Sequence, residues 1–147
     1  MTLSKFADTL PEGFGYVLLT GVGSLFVNMW MAINVGKARK QYEVKYPQLY
    51  HSEPMHKFNC IQRAHQNSLE NQSGFLLLLF TSGLQYPKIS AAAGAVYLAG
   101  RIVYALGYYT GDPEKRRYGA FHHIGEIVLL GGTISLAFRV LKWWPYH

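Results

Sequence analysis

The sequence predicts an all-α integral membrane protein, a bundle of four helices in a single domain. Half of its 147 residues are hydrophobic and only 15% are charged, whereas about 25% of the residues in an average soluble domain are charged. The mean hydropathy is nevertheless only +0.03. The charged residues are thus not absent, and they are concentrated between four long, nearly uncharged runs. Such segregation is typical of helices that cross a lipid bilayer.

The predicted spans cover about residues 14–36, 58–84, 89–109 and 120–140, and together they make one membrane domain over residues 1–147. The 24 residues from Gly13 to Gly36 carry no charge, and as a helix they would extend about 36 Å. The second span joins a polar first half to an uncharged run of 17 residues. The third contains one charge, Arg101, and the run from Tyr118 to Phe138 in the fourth also contains one, Glu126. A signal peptide is the alternative reading of the first run, but a basic n-region is absent and the run is too long.

Basic residues are distributed unequally between the two sides of this bundle. The loops after spans one and three contain eight of them: Lys37, Arg39, Lys40, Lys45, Lys57, Lys115, Arg116 and Arg117. The opposite side has four: Lys5, Lys88, Arg139 and Lys142. The positive-inside rule therefore places both basic loops in the cytosol and both termini in the lumen. These cations would attract an anionic ligand or contact anionic membrane lipid, and we expect no nucleic-acid partner.

A polar stripe runs along one face of the second span. It consists of Arg63, Gln66, Asn67 and Glu70, at positions i, i+3, i+4 and i+7. Ionisable groups at membrane depth usually face the bundle interior, a cavity or a partner chain. The stripe is therefore either a ligand site or a network in which Arg63 and Glu70 hold helices together.

The third span carries a second stripe, formed by Tyr97, Arg101, Tyr104 and Tyr108. The tyrosines are candidates for a site or for an aromatic belt at the membrane interface. Arg101 needs either an acidic partner, for which Glu126 is the nearest candidate by depth, or access to a wet cavity.

Both stripes approach the cytosolic ends of their helices, where the basic loops also lie. A crevice there suits a small, polar, anionic molecule with one amino group, while lipid supplies a hydrophobic second compound. An arginine beside a thiol would lower the thiol pKa from about 8.5. The crevice is therefore compatible with thiol activation, but its residues do not single out that chemistry. We expect no metal site, because His122, His123 and Glu126 form only one isolated cluster. The single cysteine, Cys60, excludes an internal disulfide.

The run from Phe58 to Glu70, FNCIQRAHQNSLE, resembles the signature of the membrane-associated proteins in eicosanoid and glutathione metabolism, the MAPEG family. Two further stretches, AINVGKARK at 32–40 and GYYTGDP at 107–113, are similar to the type-3 microsomal glutathione transferases of that family. The resemblance extends from about Tyr16 into the fourth span.

The resemblance implies a homotrimer of four-helix protomers that binds glutathione between neighbours near the cytosolic face. By motif position, the residues expected to bind glutathione are Arg39, Arg63, Asn67, Glu70, Tyr104 and Tyr108. Arg116 is expected to activate the thiol together with Tyr104, and Arg117 is the alternative because the preceding turn varies in length. His65 and Asn71 depart from residues found in some relatives.

The implied activity is that of a glutathione transferase or glutathione-dependent peroxidase acting on lipophilic electrophiles and lipid hydroperoxides, including conjugation of the leukotriene C4 synthase kind. Glutathione would be a substrate, and no metal would be needed. The alternatives are a non-catalytic lipid-binding accessory protein and, more remotely, a solute conduit. The expected location is the endoplasmic reticulum, with the outer mitochondrial membrane as the alternative.

The orientation can be tested by a glycosylation scan in microsomes. Acceptor sites introduced at either terminus should be modified, because the charge asymmetry places the termini in the lumen. Acceptor sites near Glu53 and Glu114 should remain unmodified. Modification at these two loops without modification at the termini would reverse the orientation and put the crevice on the luminal side.

Overall fold

The computed structural model describes residues 8–143, which contain four α-helices and one 3₁₀ helix and no strand. The α-helices are α1 Phe14–Gln41, α2 Lys57–Gly83, α3 Pro87–Tyr109 and α4 His122–Val140, and the 3₁₀ helix is Pro113–Gly119. The predicted all-α architecture is confirmed. Lys5, one of the charges that enter the orientation, lies outside the described residues.

Three of the described helices, α1, α3 and α4, are long and apolar enough to cross a membrane. α2, the second predicted span, has 27 residues, but the polar stripe in its first half lowers its hydropathy, and its crossing of the membrane stays a prediction. α2 packs against α1, α3 and α4, and α3 packs against α1, α2 and α4. α2 and α3 therefore form the centre of the bundle, with α1 and α4 on its flanks.

Two segments near the cationic end differ from the prediction. α1 continues to Gln41, past the predicted end of the span at residue 36, because basic residues stop a membrane span without stopping a helix. Arg39 and Lys40 in its last turn also interact favourably with the helix dipole. Beyond α3, the 3₁₀ helix occupies what we predicted as a turn and a basic loop. The Asp112 carboxylate caps it by accepting the Glu114 main-chain N–H at 3.0 Å.

α1 packs through a seam whose residues are spaced alternately three and four apart. The buried residues are Phe14, Val17, Gly21, Ser24, Asn28, Met31, Val35 and Ala38. This spacing is that of left-handed, coiled-coil-like helix packing. On the rest of the helix surface Leu19 and Phe26 are more than half exposed, which provides an apolar face for lipid.

Polar side chains in the seam are hydrogen-bonded across to α2. The Asn28 Nδ2 donates to Gln72 Oε1 at 2.9 Å, and Gln72 Nε2 donates to Ser24 Oγ at 2.8 Å. Ser24 Oγ donates in turn to the carbonyl of Gly21 at 2.6 Å. Such bonds between helices hold α1 in register on α2, because unpaired polar groups are costly away from water.

α3 and α4 approach each other closely at Gly100. A Cβ atom at this position would lie 2.6 Å from the His122 Cβ and 2.7 Å from the His122 main-chain nitrogen. These atoms belong to the start of α4 and cannot move without moving the helix. Gly131 on α4 differs, because a Cβ atom there would have no neighbouring atom within 4 Å.

We therefore expect Gly100→Ala to destabilise the bundle, by about 1–3 kcal/mol as overpacking usually does. Gly131→Ala is the matched control and should be neutral or slightly stabilising, since alanine is the better helix former. Thermal unfolding in detergent, followed by circular dichroism, measures both. Equal midpoints for the two variants would contradict the close approach of α3 and α4.

Candidate functional site

The ends of the polar stripe on α2 form an ion pair along the helix surface. Arg63 Nη1 lies 2.7 Å from Glu70 Oε1, and the two side chains are 41% and 46% exposed. Because both residues belong to α2, this pair by itself does not connect two helices within the protomer. Gln66, between them, is hydrogen-bonded to the hydroxyl of Tyr50 in the α1–α2 loop.

Asn67 is the member of the stripe that connects α2 to α3. Its Oδ1 accepts a hydrogen bond of 2.9 Å from Nη2 of Arg101. The Arg101 side chain is 2% exposed, and its guanidinium lies 4.5 Å from the ring centre of Tyr104. Of the two possibilities for Arg101, the ion pair with Glu126 does not form; Glu126 is instead 3.0 Å from His123 Nδ1 on its own helix. The Asn67 amide is the hydrogen-bond partner of Arg101.

The tyrosines on α3 are divided between the core and the candidate site. Tyr97 stacks on Phe75 at 4.1 Å between ring centres and is 3% exposed, so it belongs to the hydrophobic core. Tyr104 and Tyr108 contact each other edge to face at 5.2 Å. These two phenols lie one turn apart at the cationic end of α3, where the 3₁₀ helix also packs.

The 3₁₀ helix places Arg116 beside Tyr108. The guanidinium lies 5.8 Å from the centre of the Tyr108 ring, and its Nη1 donates to the carbonyl of Pro113 at 2.8 Å. Arg117 is 74% exposed and pairs with Glu114 at 2.7 Å. Gly107 permits this arrangement, because a Cβ there would collide with the main-chain carbonyl of Lys115.

A cleft with a volume of about 460 Å³ opens between the α1–α2 loop, the start of α2 and the end of α3. Its lining residues are Tyr50, His51, Ser52, Pro54, Asn59, Cys60, Arg63, Tyr108 and Pro113. Two predicted site residues, Arg63 and Tyr108, thus line one cavity. Glu70 and Asn67 lie beside Arg63, and Tyr104 and Arg116 lie beside Tyr108.

The loop side of this cleft was not foreseen from the sequence. Asn59 holds the loop in place: its Nδ2 donates to the carbonyl of Glu53 at 2.9 Å, and its Oδ1 accepts the His51 main-chain N–H at 2.7 Å. Cys60 Sγ lies 3.7 Å from the carbonyl of Gly111 at the base of the cleft. The only sequence signal for these residues is that Asn59 and Cys60 belong to the FNCIQRAHQNSLE run.

Arg39 is the predicted site residue that the protomer keeps apart. Its Nη1 donates to the carbonyl of Gln48 at 2.8 Å, and its guanidinium lies 4.4 Å from the Tyr46 ring centre. It lines a separate cavity of about 490 Å³ with Lys40, Lys45 and neighbouring loop residues. Within one chain, Arg39 therefore organises the α1–α2 loop and does not contact the cleft.

Two groups of histidines and a glutamate have donor atoms within 4.8 Å of one another in the described part of the chain: His51, Glu53 and His56, and also His122, His123 and Glu126. The first group lies in the loop and had no recognisable metal spacing in the sequence. Its histidines are engaged locally, since their Nδ1 atoms accept main-chain N–H groups of Glu53 and Phe58. In the second group His122 Nδ1 is paired with the carbonyl of Gly119 at 2.8 Å.

The sequence of these helices matches a known protein family. The family model of the MAPEG family matches residues 17–138, which is most of the chain. The chain belongs to the MAPEG family. The resemblance to this family, drawn from the sequence, is thereby confirmed.

Relatives within and beyond animals share about a third of their residues with this MAPEG chain. Human microsomal glutathione S-transferase 2 is 32% identical over 127 residues, covering 82% of this chain and 83% of the relative. An uncharacterized protein of Synechocystis is 35% identical over 119 residues, covering 80% and 83% respectively. Rat microsomal glutathione S-transferase 1 is 33% identical over 88 residues, covering 58% and 54%.

Proposed function

We propose that this MAPEG protein is a membrane-bound glutathione transferase that also acts as a glutathione-dependent peroxidase. Its second substrates would be lipophilic electrophiles, including those conjugated by the leukotriene C4 synthase reaction, and lipid hydroperoxides. The observation that carries the proposal is the position of the Arg116 guanidinium, 5.8 Å from the Tyr108 ring at the edge of the cleft. The similarity to proteins named microsomal glutathione S-transferase supports the same conclusion.

A cation and two phenols at one place suit the activation of a thiol. Arg116 would favour the thiolate of glutathione, and the hydroxyl of Tyr104 or Tyr108 would donate a hydrogen bond to the sulfur. In conjugation, the thiolate attacks an electrophilic carbon and forms a C–S bond while the displaced atom takes the electron pair; it either leaves or, where it is the oxygen of a strained ring, stays on the product and takes a proton. In peroxide reduction, two glutathione molecules become one disulfide, and the hydroperoxide becomes an alcohol and water.

The polar stripe on α2 would bind the peptide part of glutathione. Glu70 can accept hydrogen bonds from its ammonium group, Arg63 can bind a carboxylate, and Asn67 can bind a polar group between them. The ion pair between Arg63 and Glu70 would then open to admit a zwitterion of complementary charge. The expected entry side is the cytosol, where the basic loops attract an anion, and the expected membrane is the endoplasmic reticulum.

We also propose that the working unit is a homotrimer. Glu70, Asn71 and Ser73 are exposed on the outer face of α2, near the middle of a helix, and polar groups at such depth are costly to expose to lipid. Burial of this face against a neighbouring protomer removes that cost. Arg39 would then reach glutathione from a neighbouring chain, which accounts for its separation from the cleft of its own protomer.

The first test concerns binding. Arg63→Ala and Glu70→Ala should each weaken glutathione binding about tenfold or more, because each removes a charged hydrogen-bond partner. Each variant should also lose most of the thermal protection that glutathione gives the parent protein. Lys88→Ala is the control, since Lys88 meets Glu12 at 3.8 Å in an exposed contact outside the stripe. Parent-like binding by both stripe variants would assign the stripe a structural role.

The second test separates the binding of glutathione from the ionisation of its thiol. Arg116→Ala should leave binding nearly unchanged but slow turnover at neutral pH about tenfold or more, because loss of the cation raises the thiol pKa and one pKa unit corresponds to about 1.4 kcal/mol. Raising the pH should restore part of the rate, as more thiol ionises. The thiolate absorbance of bound glutathione and the pH dependence of turnover measure both effects.

Arg117→Ala is the matched control for this test and should behave like the parent protein, because the Arg117 side chain is 74% exposed, whereas that of Arg116, which also reaches Glu114 at 3.9 Å, is 36% exposed. Loss of the thiolate in Arg117→Ala alone would transfer the activating role to Arg117. A parent protein without thiolate and without turnover of any electrophile or hydroperoxide would instead have the accessory, lipid-binding role.

A further inference from the structure

Arg101 is the buried cation of this fold, and the Glu126 carboxylate acts on it only from beyond ion-pair distance. Among the arginines and lysines at residues 8–143 it alone is buried, at 2% exposure, and no ion pair within 4 Å involves it. An uncompensated charge at membrane depth is expensive. Its Nε is buried without a hydrogen-bond partner. The contacts that it does make must therefore provide its compensation.

The strongest of these contacts fixes the orientation of an amide. A guanidinium has only donors, so the group of Asn67 that faces Arg101 Nη2 must be the acceptor Oδ1, at 2.9 Å. The NH2 end of the amide then points away from α3. There the Asn67 side chain interacts with the Glu70 carboxylate, which is paired with Arg63 at 2.7 Å. The Asn67 amide thus connects the buried guanidinium of Arg101 to the carboxylate of Glu70.

We propose that Arg101 is a positioning residue for glutathione binding. It holds the Asn67 amide so that the NH2 group faces the polar stripe, where it donates to an oxygen of the bound peptide. Without Arg101 the amide is free to turn by half a rotation and present its oxygen, which repels a carboxylate or carbonyl of the ligand. The inference rests on the proposed binding of glutathione to the stripe, and it adds a residue that never touches the ligand.

Three variants of the full-length protein in lipid nanodiscs test this role. Arg101→Met removes every donor, Arg101→Lys keeps a charge and a donor, and Asn67→Asp keeps the acceptor that faces Arg101 but loses the NH2 group. Gln72→Met is the control, because it breaks two helix-to-helix hydrogen bonds outside the stripe, of 2.9 and 2.8 Å. Each is measured with glutathione and with its two truncated forms, γ-glutamylcysteine and cysteinylglycine.

Arg101→Met and Asn67→Asp should raise the KM for glutathione about tenfold to a hundredfold, with kcat at saturation changed less than about threefold. Arg101→Lys should recover most of the lost affinity. For the truncated form that lacks the group bound by Asn67, the effect of Arg101→Met should disappear. An equal loss with all three thiols, or no recovery with lysine, would show that Arg101 only supports the bundle and would overturn the proposal.

A measurement without ligand separates this inference from the proposed function. In the glutathione-free protein with ¹⁵N-labelled asparagine, the side-chain NH2 signal of Asn67, assigned by its loss in Asn67→Asp, should be a single sharp pair. It should broaden or shift in Arg101→Met and remain in Arg101→Lys and Gln72→Met. An unchanged signal in Arg101→Met would overturn the positioning role and leave the proposed function standing. Failure of the parent to bind glutathione would overturn the proposed function, while the Asn67 signal would still report whether Arg101 holds the amide.

Discussion

The hydrogen bond between the Arg101 guanidinium and the Asn67 amide is the contact on which the geometry of the site depends. It joins the polar stripe of α2 to the tyrosine face of α3, and these two helices form the centre of the bundle. A charge buried away from water must be compensated, so the relative rotation of the two helices is restricted to one that keeps amide and guanidinium together. Arg63 and Glu70 are thereby placed at a defined position relative to Tyr104 and Tyr108.

The remaining parts of the site depend on close approach of main chains at glycines. At Gly107 the end of α3 meets the main chain of the 3₁₀ helix, and at Gly119 the 3₁₀ helix in turn meets α3 near Tyr104. With side chains at these positions, the segment that carries Arg116 would stand farther from α3. A short, tightly packed connection is therefore what brings a cation to the phenols.

α2 lies in two different environments along its length. This explains why it is at the centre of the bundle and why one of its faces is not covered within the protomer. Its second half contributes Phe75 and Leu79 to the apolar core. Its first half contributes polar groups to the cleft, and Glu70 and Asn71 remain exposed. The inward face of such a helix is buried within the protomer, but its polar outer face is not. The proposed homotrimer would cover that outer face.

The sequence by itself determined the helical class, the apolar spans α1, α3 and α4, and the membership of the family, because hydrophobic runs, charge segregation and a continuous motif are properties of consecutive residues. Helical periodicity also placed Arg63, Asn67 and Glu70 on one face. Only the tertiary structure decided that Arg101 bonds Asn67 and not Glu126, that Tyr97 belongs to the core, and that Arg39 lies apart from the cleft. These outcomes depend on how each helix is rotated and how far it is shifted against its neighbours, and periodicity within a single helix specifies neither quantity.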